Sequence, residues 1–353
     1  MMRFLKDRFA NALGWFGAVT LMIGMGLALP ATVAAEEIVL TDMAGRSVRL
    51  PGPAIRIVTT FKPATLCIFS LGLEKRLVGI DTESTREPFH LALWPGVKDV
   101  TPVGTKSNGL NIETIVSLKP DLIILYAQKD GVHTADRLAA AGIPAMVILP
   151  ENFQSLARCL GLIATAAGEP AAAARATGVM GRTLALARSR VADLTAGQKK
   201  RCYYAAPRGF FTTASADLLQ HEMIRAAGGV NVAVNLSGYF RDISQEQFAR
   251  WRPDVVVVSS HIRGQARRVA RRREFAHIPA FVHGRVYAFP SSLCPWDFPS
   301  PLSSLGVLWL SARFYPERYS DLDLATEIDR FHRDLYGRSL TDMKGRLDDE
   351  IMH

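Results

Sequence analysis

Aromatic and basic side chains are concentrated in the loops that follow or precede the predicted strands and helices of this chain. Aromatic faces suit the flat or apolar body of a ligand, and arginine offers paired donors to a carboxylate or another oxyanion. Together these side chains predict a binding site for an anionic complex that also carries apolar surface. The candidate ligand-binding residues are Phe61, Lys62, Lys106, Tyr126, Arg208, Tyr239, Arg241, His261 and Trp296.

Metal-binding and catalytic motifs are missing from the sequence. His261 could ligate iron or haem, but a lone histidine after a strand more often hydrogen-bonds locally. The eight histidines include no H-E-x-x-H pair, so we predict neither a bare-metal site nor a resident cofactor. There is also no G-x-S-x-G elbow, P-loop or G-x-G-x-x-G after a strand. The sequence therefore predicts binding without catalysis.

The elements that must position these residues alternate between strand and helix. Apolar strands are predicted at 56–60, 77–80, 122–125 and 145–149, and again at 201–206, 255–258 and 285–289. Such near-continuous apolar strands are typical of parallel sheets covered by helices on both faces, so the fold class is α/β. Ligands of open α/β sheets bind beyond the carboxyl ends of the strands, and the candidate residues lie in loops that this rule selects.

A long helix and an internal repeat indicate two lobes. The helix begins at Pro170 and ends near Gly197, with an apolar stripe at Met180, Leu184, Ala187, Val191 and Leu194. The segment NIETIVSLKPDLIIL at 111–125 resembles SQEQFARWRPDVVVV at 244–258. We predict a signal peptide at 1–35, a first lobe at 36–168, a connecting helix at 169–197 and a second lobe at 198–353.

The N-terminus and the charge balance predict the compartment. Three basic residues precede an apolar stretch at 12–29, and Pro30 and small residues lead to Ala35. This order is typical of a cleaved signal peptide for secretion to the periplasm; an uncleaved anchor is the alternative. The formal charge is +9, or about +7 without residues 1–35. Export makes a nucleic-acid partner improbable, so the charge favours an anionic ligand or membrane surface.

Four cysteines have no metal-motif spacing. Cys67, Cys159 and Cys202 fall in apolar helix or strand patterns, which favours packing in the core. Cys294 falls in a loop, and an oxidising compartment would permit disulfides. The run from Arg263 to Arg273 holds six arginines and is interpreted as a solvated helix face.

Several segments resemble the ABC-importer solute-binding family that carries iron–siderophore, haem and cobalamin complexes. They are DMAGRSVRLP, RIVTT, LGLEKRLVGID, NIETIVSLKPDLII, AAGGVNVA, ISQEQFARWRPDVVVV and GRVYAFP, spread over residues 38–318. The resemblance implies two α/β lobes joined by one long helix, a ligand held between them, and small closure motions. It also implies a monomer that delivers its ligand to an ABC permease in the inner membrane.

The same resemblance implies a pair of glutamates that dock on permease arginines. In the second lobe the matching position is Glu222, whereas Leu66 stands at the first-lobe position, which puts symmetric docking in doubt. Two alternatives to a metal complex remain open. Some relatives of the family take molybdate or tungstate, and a periplasmic sensor could bind a ligand without importing it.

Overall fold

The first half of the chain folds around a five-stranded parallel sheet. The computed structural model describes residues 37–105, 109–128 and 130–351, so the predicted signal peptide and Lys106 lie outside the described residues. The strands are β1 (Ile38–Thr41), β2 (Ser47–Leu50), β3 (Ile57–Thr59), β4 (Leu77–Ile80), β5 (Thr101–Pro102), β6 (Gly104–Thr105), β7 (Gly109–Leu110), β8 (Leu122–Tyr126) and β9 (Ala145–Ile148). The sheet has the order β5-β4-β3-β8-β9, while β1–β2 and β6–β7 are antiparallel pairs.

Among the described residues, six α-helices belong to this half and to the connection. They are α1 (Lys62–Leu71), α2 (Pro88–Leu93), α3 (Ile112–Ser117), α4 (Gly131–Ala140), α5 (Phe153–Ala166) and α6 (Pro170–Val191). The connecting helix α6 ends at Val191, earlier than predicted, and a short 3₁₀ turn at 196–198 follows it. Asn152 caps α5, because its side chain accepts the Ser155 N–H in a reciprocal capping box.

The second half contains a four-stranded parallel sheet. Its strands are β10 (Arg201–Ala205), β11 (Thr212–Ala214), β12 (Val230–Asn231), β13 (Phe240–Asp242), β14 (Val255–Val258) and β15 (Val286–Ala288). Its helices are α7 (Leu219–Ala226), α8 (Gln245–Trp251), α9 (Arg263–Ala270), α10 (Pro279–Val282), α11 (Leu302–Phe314) and α12 (Leu324–Tyr336). The sheet has the order β12-β10-β14-β15, and β11 pairs with β13. The predicted α/β class with two parallel sheets and a linking helix is confirmed.

Both sheets bury both faces, as their apolar strands predict. Along β8, Ile123 and Leu125 pack in one cluster with α3 and α4 residues, while Leu122 and Ile124 pack in the largest core cluster. Along β14, Val256 and Val258 likewise separate from Val255 and Val257. The largest cluster takes one face of each sheet together with α6 and α11. The two lobes therefore share a continuous core along the connecting helix.

The aspartates of the repeated Pro-Asp segments make equivalent hydrogen bonds in each lobe. Asp121 accepts the backbone N–H groups of Ile55 and Arg56 at 3.0 and 2.9 Å. Asp254 accepts the N–H of Arg201 at 2.9 Å. Each aspartate also donates its own N–H to the carbonyl at the start of the neighbouring strand, Arg56 or Arg201, at 2.8 Å. The sequence repeat thus corresponds to a repeated set of hydrogen bonds, here called the clasp, between each aspartate and the start of the neighbouring strand. The strands held in this way are β3 and β10.

Removing the clasp carboxylates should destabilise both lobes. Replacing either aspartate by alanine removes the carboxylate that accepts the backbone N–H groups at the start of the strand. Because both sites are exposed, water can take the place of the carboxylate. We expect Asp121→Ala to lower the free energy of unfolding by about 1–2 kcal/mol, and Asp254→Ala by about 1 kcal/mol. Urea denaturation measures both, with the exposed Asp99→Ala as the control, which should change stability by less than about 0.5 kcal/mol. Equal effects at all three positions would contradict the clasp.

The cysteines are free and buried, Cys294 included. This agrees with the prediction of core packing for Cys67, Cys159 and Cys202. In the described part of the chain, no helix is both long enough and apolar enough to cross a bilayer.

Candidate functional site

The strand order places a crevice at the same point of each sheet. In the first sheet the chain runs from β3 outward to β4 and β5, and then from β8 outward to β9. In the second it runs from β10 to β12 on one side and from β14 to β15 on the other. The carboxyl ends of β3 and β8, and of β10 and β14, are therefore topological switch points, where open α/β sheets bind ligands.

A cleft between the lobes lies at these strand ends. Its cavity has a volume of about 240 Å³ and takes residues from both lobes. Most of its walls are apolar or aromatic, with a few polar groups, as is common in small-molecule sites. It is lined by Phe61, Pro63, Tyr126, Gln128 and Glu151 from the first lobe and by Tyr204, Pro207, Leu218, Gln220, Tyr239, Phe240, Asp297, Phe298 and Pro299 from the second.

A larger cavity adjoins the cleft inside the first lobe. It has a volume of about 440 Å³ and lies between the ends of β3 and β8, the β6–β7 pair and α4. Phe61, Tyr126 and Gln128 line both cavities. A ligand in the cleft could therefore extend into the first lobe past these three side chains.

Phe61 and Tyr126 form the junction of the two cavities. Phe61 stands between β3 and α1 with an extended backbone, and its ring lies 4.8 Å from that of Tyr126 between centroids. The Gln128 amide donates to the Tyr126 hydroxyl at 2.6 Å and to Glu151 at 3.1 Å. The structure thus brings together two of the predicted residues and adds Gln128 and Glu151.

The second-lobe wall carries a buried carboxyl group. Asp297 accepts a hydrogen bond from the Tyr204 hydroxyl at 2.7 Å, and the Gln220 amide donates to the Asp297 carbonyl at 2.8 Å. Burial raises the pKa of Asp297, while hydrogen bonds with Tyr204 and nearby positive groups act in the opposite direction. The wall is therefore polar at this point although most of its surroundings are apolar or aromatic.

Lys62 does not line either cavity, in contrast to its prediction as a ligand-binding residue. Its ammonium group is bound to Glu87 at 2.7 Å, and only 11% of each side chain is exposed. Burial acts to lower the pKa of Lys62, but the adjacent Glu87 carboxylate, together with Cys294 and Glu83, raises the pKa overall. The ammonium also lies 5.2 Å from the centroid of the Phe298 ring. Lys62 therefore supports an aromatic wall of the cleft from behind.

Trp296 is also misplaced by the sequence prediction. It is 1% exposed and packs in the core, where its ring lies 6.1 Å from that of His332. The next three residues line the cleft instead. The SSLCPWDFPS segment therefore reaches the cleft, but Phe298 lines the cavity whereas Trp296 packs in the interior.

The remaining predicted residues differ in their exposure and position. Tyr239 lines the cleft with 51% of its surface exposed. Arg208 and Arg241 are exposed and outside the cavity walls; Arg208 lies 4.0 Å from Asp242. His261 is exposed and contacts Ser259 through Nδ1 at 3.2 Å. The two predicted ligand-binding arginines therefore lie at the surface of the second lobe and outside the walls of the cleft.

His332 supports the cleft segment from the core and should make stability depend on pH. Burial lowers the pKa of His332 to about 4. Between pH 6.5 and 4 the unfolded state binds a proton that the folded state does not, so stability falls as the pH falls. Phenylalanine cannot bind this proton, so His332→Phe should not lose this stability. From pH 7.5 to pH 5, we expect the free energy of unfolding of the wild type to fall by about 2 kcal/mol more than that of the variant.

Denaturation curves at both pH values test this expectation. His133→Phe is the control, because His133 is exposed on α4 and its replacement should leave the pH dependence unchanged. A stability difference between wild type and His332→Phe that is the same at pH 7.5 and pH 5 would contradict the prediction.

Glu222 joins the two lobes. Its carboxylate accepts the backbone N–H of Phe153, the first residue of α5, at 2.7 Å, which is a favourable place for a negative charge. The surrounding depression also contains three basic residues, Arg188, Lys199 and Arg225. This contact gives Glu222 a structural role between lobes, and its role in permease docking stays a prediction from the family resemblance.

The arginine run is exposed over much of its length, as expected, but it also holds the C-terminal segment. Arg263 donates to the carbonyl of Asp348 and Arg267 to that of Ile351. Ile351 is buried in the core of the second lobe. Two of the arginines therefore have a structural function.

Comparison with known proteins identifies the family. The sequence model of the family described as "Periplasmic binding protein" matches residues 57–293 of this chain. These residues contain both sheets and most of the cleft. The chain belongs to the periplasmic binding protein family. The solute-binding resemblance predicted from the sequence is therefore confirmed, and the related proteins serve ABC transporters.

Three relatives of this periplasmic binding protein illustrate the range of ligands. The molybdate-binding protein MolA of Haemophilus influenzae is 22% identical over 91% of this chain and 97% of its own. Its molybdate-bound structure has a TM-score of 0.75 at 23% identity and covers 86% and 98% of the two chains. A vitamin B12-binding protein of Yersinia pestis is 28% identical over 60% of this chain and 71% of its own. CeuE of Helicobacter pylori with Ni-His has a TM-score of 0.75 at 17% identity, covering 88% and 98%.

The residues predicted from the sequence do not include several groups that line the cleft. Gln220 is inside α7 and Glu151 follows β9, and no spacing pattern distinguishes either from ordinary polar residues. Asp297 and Phe298 are in the segment that the strand-end rule selects, so the rule finds the loop but not the side chains that face the cavity.

Proposed function

We propose that this protein captures a small metal complex in the cleft between its lobes and delivers it to an ABC permease of the inner membrane. The observation that carries the proposal is the cleft itself, because it lies at the carboxyl ends of β3, β8 and β10 and takes side chains from both lobes. The family assignment supports delivery to a permease. The predicted signal peptide supports a periplasmic location.

The size and walls of the two cavities favour a complex with organic ligands. Together the cleft and the adjoining cavity provide volumes of about 240 and 440 Å³, within the usual range for sites that bind whole small molecules. Aromatic walls gain most from a partner with its own apolar surface. An iron–siderophore, haem or cobalamin type of complex meets both conditions.

A molybdate or tungstate oxyanion is the second candidate. The relation to MolA over nearly its whole length favours it. A small oxyanion would need convergent backbone N–H or hydroxyl donors in a tight site, whereas the described cleft walls are mainly apolar or aromatic and include the carboxyl groups of Glu151 and Asp297.

Equilibrium binding to a defined set of ligands tests the proposal. The set is molybdate, haemin, cyanocobalamin, ferrioxamine B and Ni–histidine, titrated into the mature chain by calorimetry and by quenching of tryptophan fluorescence. We expect at least one of the metal complexes to bind with a Kd in the micromolar range or tighter, about −8 kcal/mol. Failure of every metal complex in the set to bind would contradict the proposed function, and binding of molybdate alone would favour the second candidate.

A further inference from the structure

Two oxygen atoms in the second-lobe wall of the cleft lack a hydrogen-bond donor. They are Oε1 of Gln220 and Oδ1 of Asp297, and neither has a partner among the described residues. Gln220 is 6% and Asp297 3% exposed, and both residues line the cleft cavity. A buried acceptor without a donor costs about 1–3 kcal/mol, so such atoms beside a ligand cavity call for an explanation.

The surrounding hydrogen bonds fix which atoms are open. The Gln220 amide nitrogen donates to the Asp297 carbonyl at 2.8 Å, which leaves the amide oxygen as the end without a partner. The Tyr204 hydroxyl donates to Oδ2 of Asp297 at 2.7 Å, which leaves Oδ1. With Asp297 ionised, both open atoms are therefore acceptors. Gln220 Oε1 is an acceptor whatever the protonation state of Asp297.

The geometry points to an acceptor subsite, formed by Gln220 and Asp297, for N–H or O–H donor groups of the bound ligand. This inference rests on the proposed function, since it assigns a ligand class to the same cleft. Donors of this kind are amide, ammonium or metal-bound amine N–H groups, and they would satisfy both oxygens at once.

The same subsite disfavours ligands that offer only acceptors. A tetrahedral oxyanion such as molybdate presents oxygen atoms on all sides, and the carboxylates of haem do the same at its edge. Placing such oxygens against Gln220 Oε1 and Asp297 Oδ1 would leave buried acceptors facing acceptors, which is repulsive and unsatisfied. A donor-bearing metal complex avoids this conflict and still uses the aromatic walls.

The set of ligands named above separates these classes in the wild-type protein. Cyanocobalamin, ferrioxamine B and Ni–histidine carry N–H donors, whereas molybdate does not and haemin carries carboxylates. We expect the tightest member to be donor-bearing and to bind at least about tenfold more tightly than molybdate or haemin. Tighter binding of haemin than of every donor-bearing member would overturn the subsite but leave the proposed function standing. Tightest binding of molybdate would overturn the subsite and favour the second candidate function. Binding of none of the metal complexes would reject the proposed function itself.

Asp297→Asn tests the subsite at the level of one atom. The Tyr204 hydroxyl should keep the amide oxygen in the position of Oδ2, so the amide nitrogen would stand where Oδ1 was and turn an acceptor into a donor. We expect affinity for the tightest donor-bearing ligand to fall at least about tenfold. Gln220→Met, which removes Oε1 with little change in shape, should weaken the same ligand.

Glu246→Gln is the matched control, because this carboxylate lies in the first turn of α8 and outside the cleft walls. Its affinities should equal those of the wild type. Circular dichroism and thermal melting establish that each variant is folded, and the wild-type ranking tests the subsite even if one variant is not. Affinities of Asp297→Asn and Gln220→Met within twofold of the wild type would overturn the subsite.

Discussion

Replacing Tyr126 and Tyr239 together by alanine is expected to weaken ligand binding about a hundredfold. One tyrosine comes from each lobe, and both line the cleft. A buried aromatic contact in a binding site is commonly worth 1–2 kcal/mol or more, so each loss should cost about tenfold. The two losses should add, because the residues belong to different lobes and to separate walls.

The measurement is the Kd of the tightest member of the ligand set for the wild type, both single variants and the double variant. Tyr287→Ala is the control, since Tyr287 is a half-buried tyrosine of β15 that packs on Trp309 away from the cavity walls. Its affinity should match that of the wild type. A double variant that keeps its affinity within a few fold would place the ligand elsewhere.

Asp349→Ala should lower the free energy of unfolding by about 2–3 kcal/mol, because it leaves the buried indole N–H of Trp309 without its acceptor and the partly exposed Arg313 without its partner. The Asp349 side chain is 6% exposed and pairs with Arg313 at 2.5 Å. The same oxygen accepts the indole N–H of Trp309 at 2.7 Å. The Asp349 carbonyl also accepts the N–H of Ala288 at 2.8 Å, so this residue joins the C-terminal segment to β15 and α11.

The neighbouring residue provides the matched control for this change. Asp348 is half exposed and lies 3.7 Å from Arg263; exposed pairs of this kind contribute about 0–1 kcal/mol. Asparagine suits its positive φ of 56°, so Asp348→Asn should be nearly neutral. Urea denaturation compares the two variants. A similar small effect for both would show that the C-terminal segment contributes little to the second lobe.

Periodicity and strand-end reasoning predicted the framework of this molecule well. The apolar runs identified both parallel sheets, and the repeated Pro-Asp segments identified equivalent clasps. Phe61 and Tyr126 could be selected because each lies at the end of a strand that the sequence predicts. Ligands of open α/β sheets bind at such strand ends. These features depend on local pattern, which a single sequence contains.

The residues that were misplaced depend on contacts between distant parts of the chain. Lys62 is paired with Glu87, which is 25 positions away, and nothing in the spacing of the two reveals that pair. Whether Trp296 or Phe298 faces the cavity is decided by the packing of α12 against the loop. The open oxygens of Gln220 and Asp297 follow from hydrogen bonds that only the folded structure defines.

The location of a bound metal tests the central claim most directly, since each member of the ligand set contains a metal with an accessible absorption edge. Crystals of the protein saturated with its tightest ligand should show one strong anomalous-difference peak in the cleft, between the walls formed by Tyr126 and Tyr239 and next to the Gln220–Asp297 subsite. A saturated protein with its metal peak on an outer surface of either lobe, and with an empty cleft, would contradict the account.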